Sequence, residues 1–220
     1  GGTIEYQLET RVGEGRLHAW SYSFAGRFEI EGMTGEIDLC DSDFEPPARS
    51  VENFLRVALA WPAMAKGGLL LHASGVARGN RAYLFFGPSG SGKTTITRLS
   101  TGDTPLNDDC ILIMRDGRGF TAHGVPFKGA EDLGARNASA YPIAGMFRLV
   151  QSPDVSCERL APARAAGEIA GSIPFVTERP EGFERIFSTL EDLVRVVPVF
   201  RLRFRQSPDF WPVVEQAVGR

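Results

Sequence analysis

The chain has 220 residues, 43% hydrophobic and 23% charged. That is enough apolar material for one compact core, or a core plus a small appendage, and it excludes collagen-like, disordered and disulfide-scaffold classes. With 24 Lys+Arg against 27 Asp+Glu the net charge is -3, so no whole-domain basic field exists to hold nucleic acid or an anionic membrane, and neither is expected as a partner.

Three separated cysteines, Cys40, Cys110 and Cys157, lack the even count and the C-x-x-C spacing of a disulfide framework or a zinc site, which points to a reducing compartment. The longest apolar stretches, 82–86 and 196–200, fall far short of the roughly 20 residues of a membrane helix. Residues 1–3, Gly-Gly-Thr, show no charged-then-apolar signal pattern.

Residues 3–40 carry short alternating runs, at 3–8 and 28–33, punctuated by glycine at 13, 15, 26, 32 and 35. This predicts small antiparallel strands joined by tight turns. An acidic, proline-containing connector over 41–50 then leads into helical periodicity over 51–65, through Phe54, Leu55, Ala58 and Leu59. Residues 1–65 thus read as a small β-rich lobe with a connecting helix, and 66–220 as the core.

The core opens with a strand over 69–76, a turn at 78–81, and a strand over 82–86 that runs into a glycine-rich loop and a helix. A strand over 110–114 and a return over 120–124 flank Asp116-Gly117, a good hairpin signal. A strand is predicted near 145–150, helices over 162–170 and 183–194, and a strand over 199–204. A final helix has Ser207 as N-cap and Pro208 at its first position.

Gly87, Pro88, Ser89, Gly90, Ser91, Gly92, Lys93 and Thr94 match G-x-x-x-x-G-K-[ST] at every fixed position, after a strand and opening a helix. Glycines there let successive N–H groups turn toward phosphate oxygens, and the helix N-terminus adds its positive dipole end. Lys93 is expected to pair with the β/γ-phosphates and Thr94 to ligate Mg²⁺. A guanine-reading N/T-K-x-D motif is missing, since Asn107-Asp108-Asp109 lacks the lysine, which disfavours GTP.

Asp108 and Asp109 lie about fifteen residues past Lys93 and precede an apolar strand rather than ending one. Phosphoryl transfer needs one carboxylate for the metal and one to take the proton of an attacking hydroxyl, and the pair supplies both. His72, after Leu69-Leu70-Leu71, is placed to face the same edge and orient a carboxylate. Arg195, Arg201, Arg203 and Arg205 read as a solvated strand face.

The ordered set His72-Ala73-Ser74-Gly75-Val76, then Gly87 to Thr94 with Thr95, then Leu106-Asn107-Asp108-Asp109, resembles the C-terminal catalytic domain of HPr kinase/phosphorylase and the shorter HPr-kinase-like proteins. The loop is also similar to that of phosphoenolpyruvate carboxykinase. The resemblance covers about 68–127 well and 198–204 more faintly. It implies an α/β fold, a P-loop mixed β-sheet core of the HPr kinase and phosphoenolpyruvate carboxykinase type beside the small N-terminal β-rich lobe, with ATP and Mg²⁺ as cofactors and γ-phosphoryl transfer to a serine hydroxyl.

Carried over by motif, Lys93 contacts phosphate, Thr94 and Asp108 serve the metal, Asp109 acts as base, and His72 supports the acidic pair. The two aspartates can exchange these jobs and titrate as a unit. The glycine-rich stretch that follows the acidic pair in the bifunctional enzymes has only a weak match in 128–134, so neither phosphorylase activity nor HPr as acceptor is carried over.

The expected function is therefore an ATP- and Mg-dependent kinase acting on a protein or peptide hydroxyl. A kinase for a small metabolite such as free serine, and a nucleotide-binding switch without transfer, are the alternatives. Acceptor choice is assigned to loops such as 128–141. Family enzymes tend to be oligomeric, which leaves room for a homo-oligomer, and the need for ATP makes the cytoplasm the expected location.

Overall fold

The computed structural model describes residues 8–41, 45–117, 119–127, 139–174 and 180–219. Most of the run expected as a strand over 3–8, and residues 128–138 of the acceptor loop expected over 128–141, lie outside the described residues, while Ala140 and Tyr141 belong to a strand.

Four strands, β1 (Glu9–Gly13), β2 (Arg16–Trp20), β3 (Phe24–Glu29) and β4 (Thr34–Leu39), form an antiparallel sheet in chain order. The β1–β2 turn passes through Glu14 and Gly15, with φ of 51° and 76°, the mirror-image turn whose twist matches that of paired strands. The run expected as a strand over 28–33 divides: Phe28 and Glu29 finish β3, and 30–33 form the turn into β4.

Alternation puts Leu17, Ala19, Phe24 and Phe28 on the buried face, where α1 (Pro47–Ala65) covers them. The helix starts earlier than its apolar periodicity because two prolines, Pro46 and Pro47, set its entry. The Glu45 carboxylate then accepts bonds from Ser23 Oγ (2.6 Å), Ser50 Oγ (3.0 Å) and Asn53 Nδ2 (2.9 Å), tying strand to helix. Gly26 on β3 leaves the space for this packing: a Cβ there would lie 2.4 Å from Cε2 of Phe54.

The remaining elements are β5 (Leu69–Arg78), β6 (Arg81–Phe86), α2 (Lys93–Leu99), β7 (Thr104–Asn107), β8 (Cys110–Asp116), β9 (Gly119–Gly124), β10 (Ala140–Gln151), β11 (Ser156–Arg159), α3 (Pro162–Ala170), α4 (Pro180–Val196), β12 (Val199–Phe204) and α5 (Phe210–Val218). The large sheet runs β11-β12-β10-β6-β5-β8-β9, with β7 also on β5. It is mixed: β10 is parallel to β6 and β12, while the other pairs are antiparallel.

The start of β10 also pairs with β9, so the sheet curls back on itself. One edge of β5 carries β6. The other carries β8 along Leu69–His72 and β7 along Gly75–Ala77. The turn joining β7 to β8, which holds the two aspartates, is therefore pinned at both ends to a single strand.

Two cores result. One gathers α1, the small sheet, β5, β8, α3 and α4. The other is aromatic: Phe85, Phe147 and Phe200 sit in register across β6, β10 and β12 with ring centroids 5.4 and 5.3 Å apart, and Phe204, Phe210 and Trp211 close it from β12 and α5. The last helix departs from its sequence reading. Ser207 and Pro208 stand in the turn before it, Trp211 N–H donates to Pro208 O (3.2 Å), and α5 begins at Phe210 without a side-chain cap.

Since Gly26 and Phe54 interlock, Gly26→Ala forces the ring out of a packed core and is expected to lower unfolding free energy by about 1–3 kcal/mol. Urea unfolding of the two proteins checks this, and an unchanged midpoint would refute it.

Candidate functional site

The loop follows the expected course: β6 ends at Phe86, and α2 begins at Lys93. Gly87, Gly90 and Gly92 have φ of 152°, 75° and 104°, values that L side chains rarely adopt. Gly92 is constrained a second time, because a Cβ there would lie 2.5 Å from Cζ of the buried Phe204. Inside the loop, Lys93 is 8% exposed and its Nζ donates to Gly87 O (2.9 Å) and Pro88 O (3.3 Å).

Burial pushes the Lys93 pKa down, the negative charge of Asp109 works against that shift, and the positive charge of Arg148 adds to it. Loop and acidic turn therefore share one electrostatic environment. Ser91 Oγ is buried with no hydrogen-bond partner, an arrangement that costs free energy unless something else bonds the hydroxyl. Thr94 and Thr95, in the first turn of α2, are half-buried.

Asn107 ends β7 and organises the acidic turn. Its Oδ1 accepts from Asp109 N (2.8 Å) and Cys110 N (2.9 Å), and its Nδ2 donates to Val125 O (3.1 Å) and Phe127 O (2.9 Å). Asp108 is almost fully buried, whereas the side chain of Asp109 is 24% exposed. His72 lies within β5 in register with Cys110, and its Nδ1 is 3.1 Å from Asp109 Oδ1. Because an ionised carboxylate only accepts, this nitrogen carries the proton.

The other oxygen of Asp109 meets a residue that the sequence reading passed over. Arg56 of α1 is 6% exposed. Its Nη2 lies 2.9 Å from Asp109 Oδ2 and 3.2 Å from Glu52 Oε1, and its guanidinium stands 5.6 Å from the ring centre of Phe127. The available signal was positional: Arg56 falls on the helical stripe of Asn53, Phe54, Val57, Ala60, Trp61 and Met64, all buried.

Burial alone would raise the Asp109 pKa. The bond from His72 and the charges of Arg56 and His72 outweigh it and hold the carboxyl below its ordinary range. Asp109 Oδ2 also receives the Cys110 thiol (3.7 Å). Among the described residues the carboxylate is thus held by His72 on Oδ1 and by Arg56 and the Cys110 thiol on Oδ2.

His72, Asp109 and Cys110 place ligand-type atoms within 4.8 Å of one another. Burial and the adjacent Asp109 push the Cys110 thiol up to about 12, so with only these neighbours it is a protonated donor to Asp109, and a metal there would have to displace that proton. The structure thus brings His72 and Asp109 together and sets Lys93 within electrostatic reach, while Asp108, next in the chain, is buried.

Among the arginines read as a solvated face, Arg195, Arg203 and Arg205 are exposed. Arg201 is not: its side chain is 18% exposed and pairs with Glu168 (3.6 Å) and Glu158 (3.9 Å).

Two outcomes test this geometry. Asn107→Ala leaves buried N–H and C=O groups unpaired and is expected to cost about 2–3 kcal/mol in urea unfolding. Asp109 has a depressed pKa in the fold, so its stabilising contribution is complete above about pH 4 and is lost as pH falls through the folded value. The stability gap between the parent protein and Asp109→Asn, measured from pH 7 to pH 2.5, should narrow only at the acid end, and a pH-independent gap would contradict the ionised assignment.

The model of the family described as SynChlorMet cassette protein ScmC matches residues 51–219. That span includes Arg56, His72, the glycine loop and both aspartates, and leaves β1–β4 outside. Among solved structures, the Hpr(Ser) kinase/phosphatase from Coxiella burnetii is similar over 68% of this chain and 94% of that one, at 13% identity and a TM-score of 0.37, a likeness too distant to bear on activity. No curated protein matches. Most of the chain being spanned by that one family model, the protein is a member of the ScmC family.

Proposed function

We propose that the protein is an ATP- and Mg-dependent phosphotransferase acting on a hydroxyl of a protein or peptide. The observation that carries this reading is an ionised Asp109, fixed by Arg56 and His72 and within electrostatic reach of the loop lysine.

The loop suits a polyphosphate: three glycines with positive φ open its backbone, and Lys93 and the unpartnered Ser91 hydroxyl lie within it. A bound phosphate oxygen would replace the Gly87 and Pro88 carbonyls as acceptor for Lys93. Thr94 and Asp108 offer the hard oxygen donors that Mg²⁺ prefers. When bound, that ion would neutralise charge on the β- and γ-phosphates.

The ionised Asp109 carboxylate would accept the hydrogen bond of the acceptor hydroxyl and so position its oxygen for attack on the γ-phosphoryl group. As the new O–P bond forms and the γ-phosphoryl group leaves the β-phosphate, the hydroxyl proton passes to Asp109 and ADP departs. A low carboxylate pKa suits a loose transition state, in which the proton moves late and the base chiefly positions the nucleophile. Arg56 keeps the carboxylate in place, and the Nδ1–H of His72 fixes its rotation.

The test is transfer from γ-labelled ATP with Mg²⁺ into a size-fractionated extract of the source cells. Label in a macromolecule, reduced at least about a hundredfold by Lys93→Ala and by Asp109→Asn, is expected. Label confined to small molecules would redirect the reading to a metabolite kinase. Nucleotide binding with no labelled product would make the protein a switch, and transfer untouched by both substitutions would end the proposal.

A further inference from the structure

Behind the glycine loop lies a second positive centre. Arg148 on β10 stands in register with Phe86, the residue at which β6 passes into the loop. Its Nη1, which donates to Leu149 O (2.5 Å), is 3.3 Å from where a Cβ of Gly87 would sit, so a side chain at Gly87 would crowd the guanidinium. From the end of the same strand, Gln151 Nε2 donates to Gly90 O (2.8 Å). β10 therefore places Arg148 beside Gly87 and bonds the loop at Gly90.

The counter-ion of Arg148 is shared. Arg148 Nε donates to Glu168 Oε2 of α3 at 3.0 Å, Arg201 in the paired position on β12 lies 3.6 Å from the same carboxylate, and Arg164 lies 3.9 Å from it. Among the described residues, three arginines around one glutamate leave an excess of positive charge here, partly offset by Glu158 beside Arg201. The side chains of Arg148 and Arg201 are 23% and 18% exposed, so they do not form an ordinary solvated fringe.

We propose that Arg148 is a phosphate-contacting residue of this site, which exchanges Glu168 for the phosphate chain of a bound nucleotide. The inference rests on the nucleotide reading above. A planar guanidinium matches phosphate oxygens with two parallel donors, and a triphosphate facing Lys93 alone leaves charge for a second fixed cation to offset. In the exchange Arg148 gives up Glu168, while Nη1 also donates to Leu149 O (2.5 Å), and Glu168 keeps Arg201 and Arg164 as partners.

The experiment measures dissociation constants for Mg·ATP and for inorganic triphosphate by calorimetry, with thermal melts as folding controls. The proteins are the parent chain, Lys93→Ala, Arg148→Leu, Arg148→Lys, Glu168→Gln and the Arg148→Leu/Glu168→Gln pair. Arg148→Leu should weaken both ligands about ten- to a hundredfold and Arg148→Lys less. Glu168→Gln should leave binding unchanged or tighten it, and that gain should vanish in the pair.

Lys93-dependent binding that ignores Arg148→Leu would overturn the assignment while leaving the nucleotide reading intact. So would a Glu168→Gln loss equal to that of Arg148→Leu, since the ion pair would then be supporting the loop. A parent chain that binds neither ligand would overturn the nucleotide reading itself.

Discussion

A buried guanidinium beside a half-buried carboxylate sets the terms for the rest of the molecule. Arg56 is buried with Asp109 and Glu52 answering its charge, and Asp109 stays ionised away from bulk water with Arg56 and His72 beside it. Removing one member of such a set leaves the others in a poor environment, a much larger penalty than a surface ion pair carries. The contact also joins distant parts of the chain: Arg56 belongs to the helix that covers the small sheet, and Asp109 to the turn pinned against β5.

The fold supplies the stiffness that this arrangement needs. β5 receives β7 and β8 along one edge and β6 along the other, so the acidic turn and the strand feeding the glycine loop are referred to the same backbone. On the far side, the in-register phenylalanines of β6, β10 and β12 hold the loop's strand against α5. Trp211 Nε1 donates to Ser100 Oγ just past α2 (3.2 Å), closing the same layer by a polar bond. A site built on strands braced from both faces keeps its geometry better than one carried on loops.

The legible parts of the sequence were those with a local cause. The glycine loop announced its own turn, the run Leu69-Leu70-Leu71-His72 its strand, and Asp116-Gly117 its hairpin, since each depends on residues adjacent in the chain. Arg56 was illegible for the opposite reason. A charge on an apolar helical stripe gains its meaning from a carboxylate 53 positions later, and nothing in α1 announces that partner. Arg201 was misread because alternation places a strand residue on one face or the other without saying whether α3 covers that face. Ser207 and Pro208 carried good helix-start chemistry, yet the helix begins at Phe210, where the aromatic core can receive Phe210 and Trp211.

Gly92 answers to two masters. Its left-handed backbone serves the loop, but the ring of Phe204 already occupies the space where any side chain would begin. Even with Lys93 or Asp109 replaced, the aromatic layer would still require glycine at 92. The presence of glycine at this position therefore reports on intact architecture before it reports on anything the loop binds.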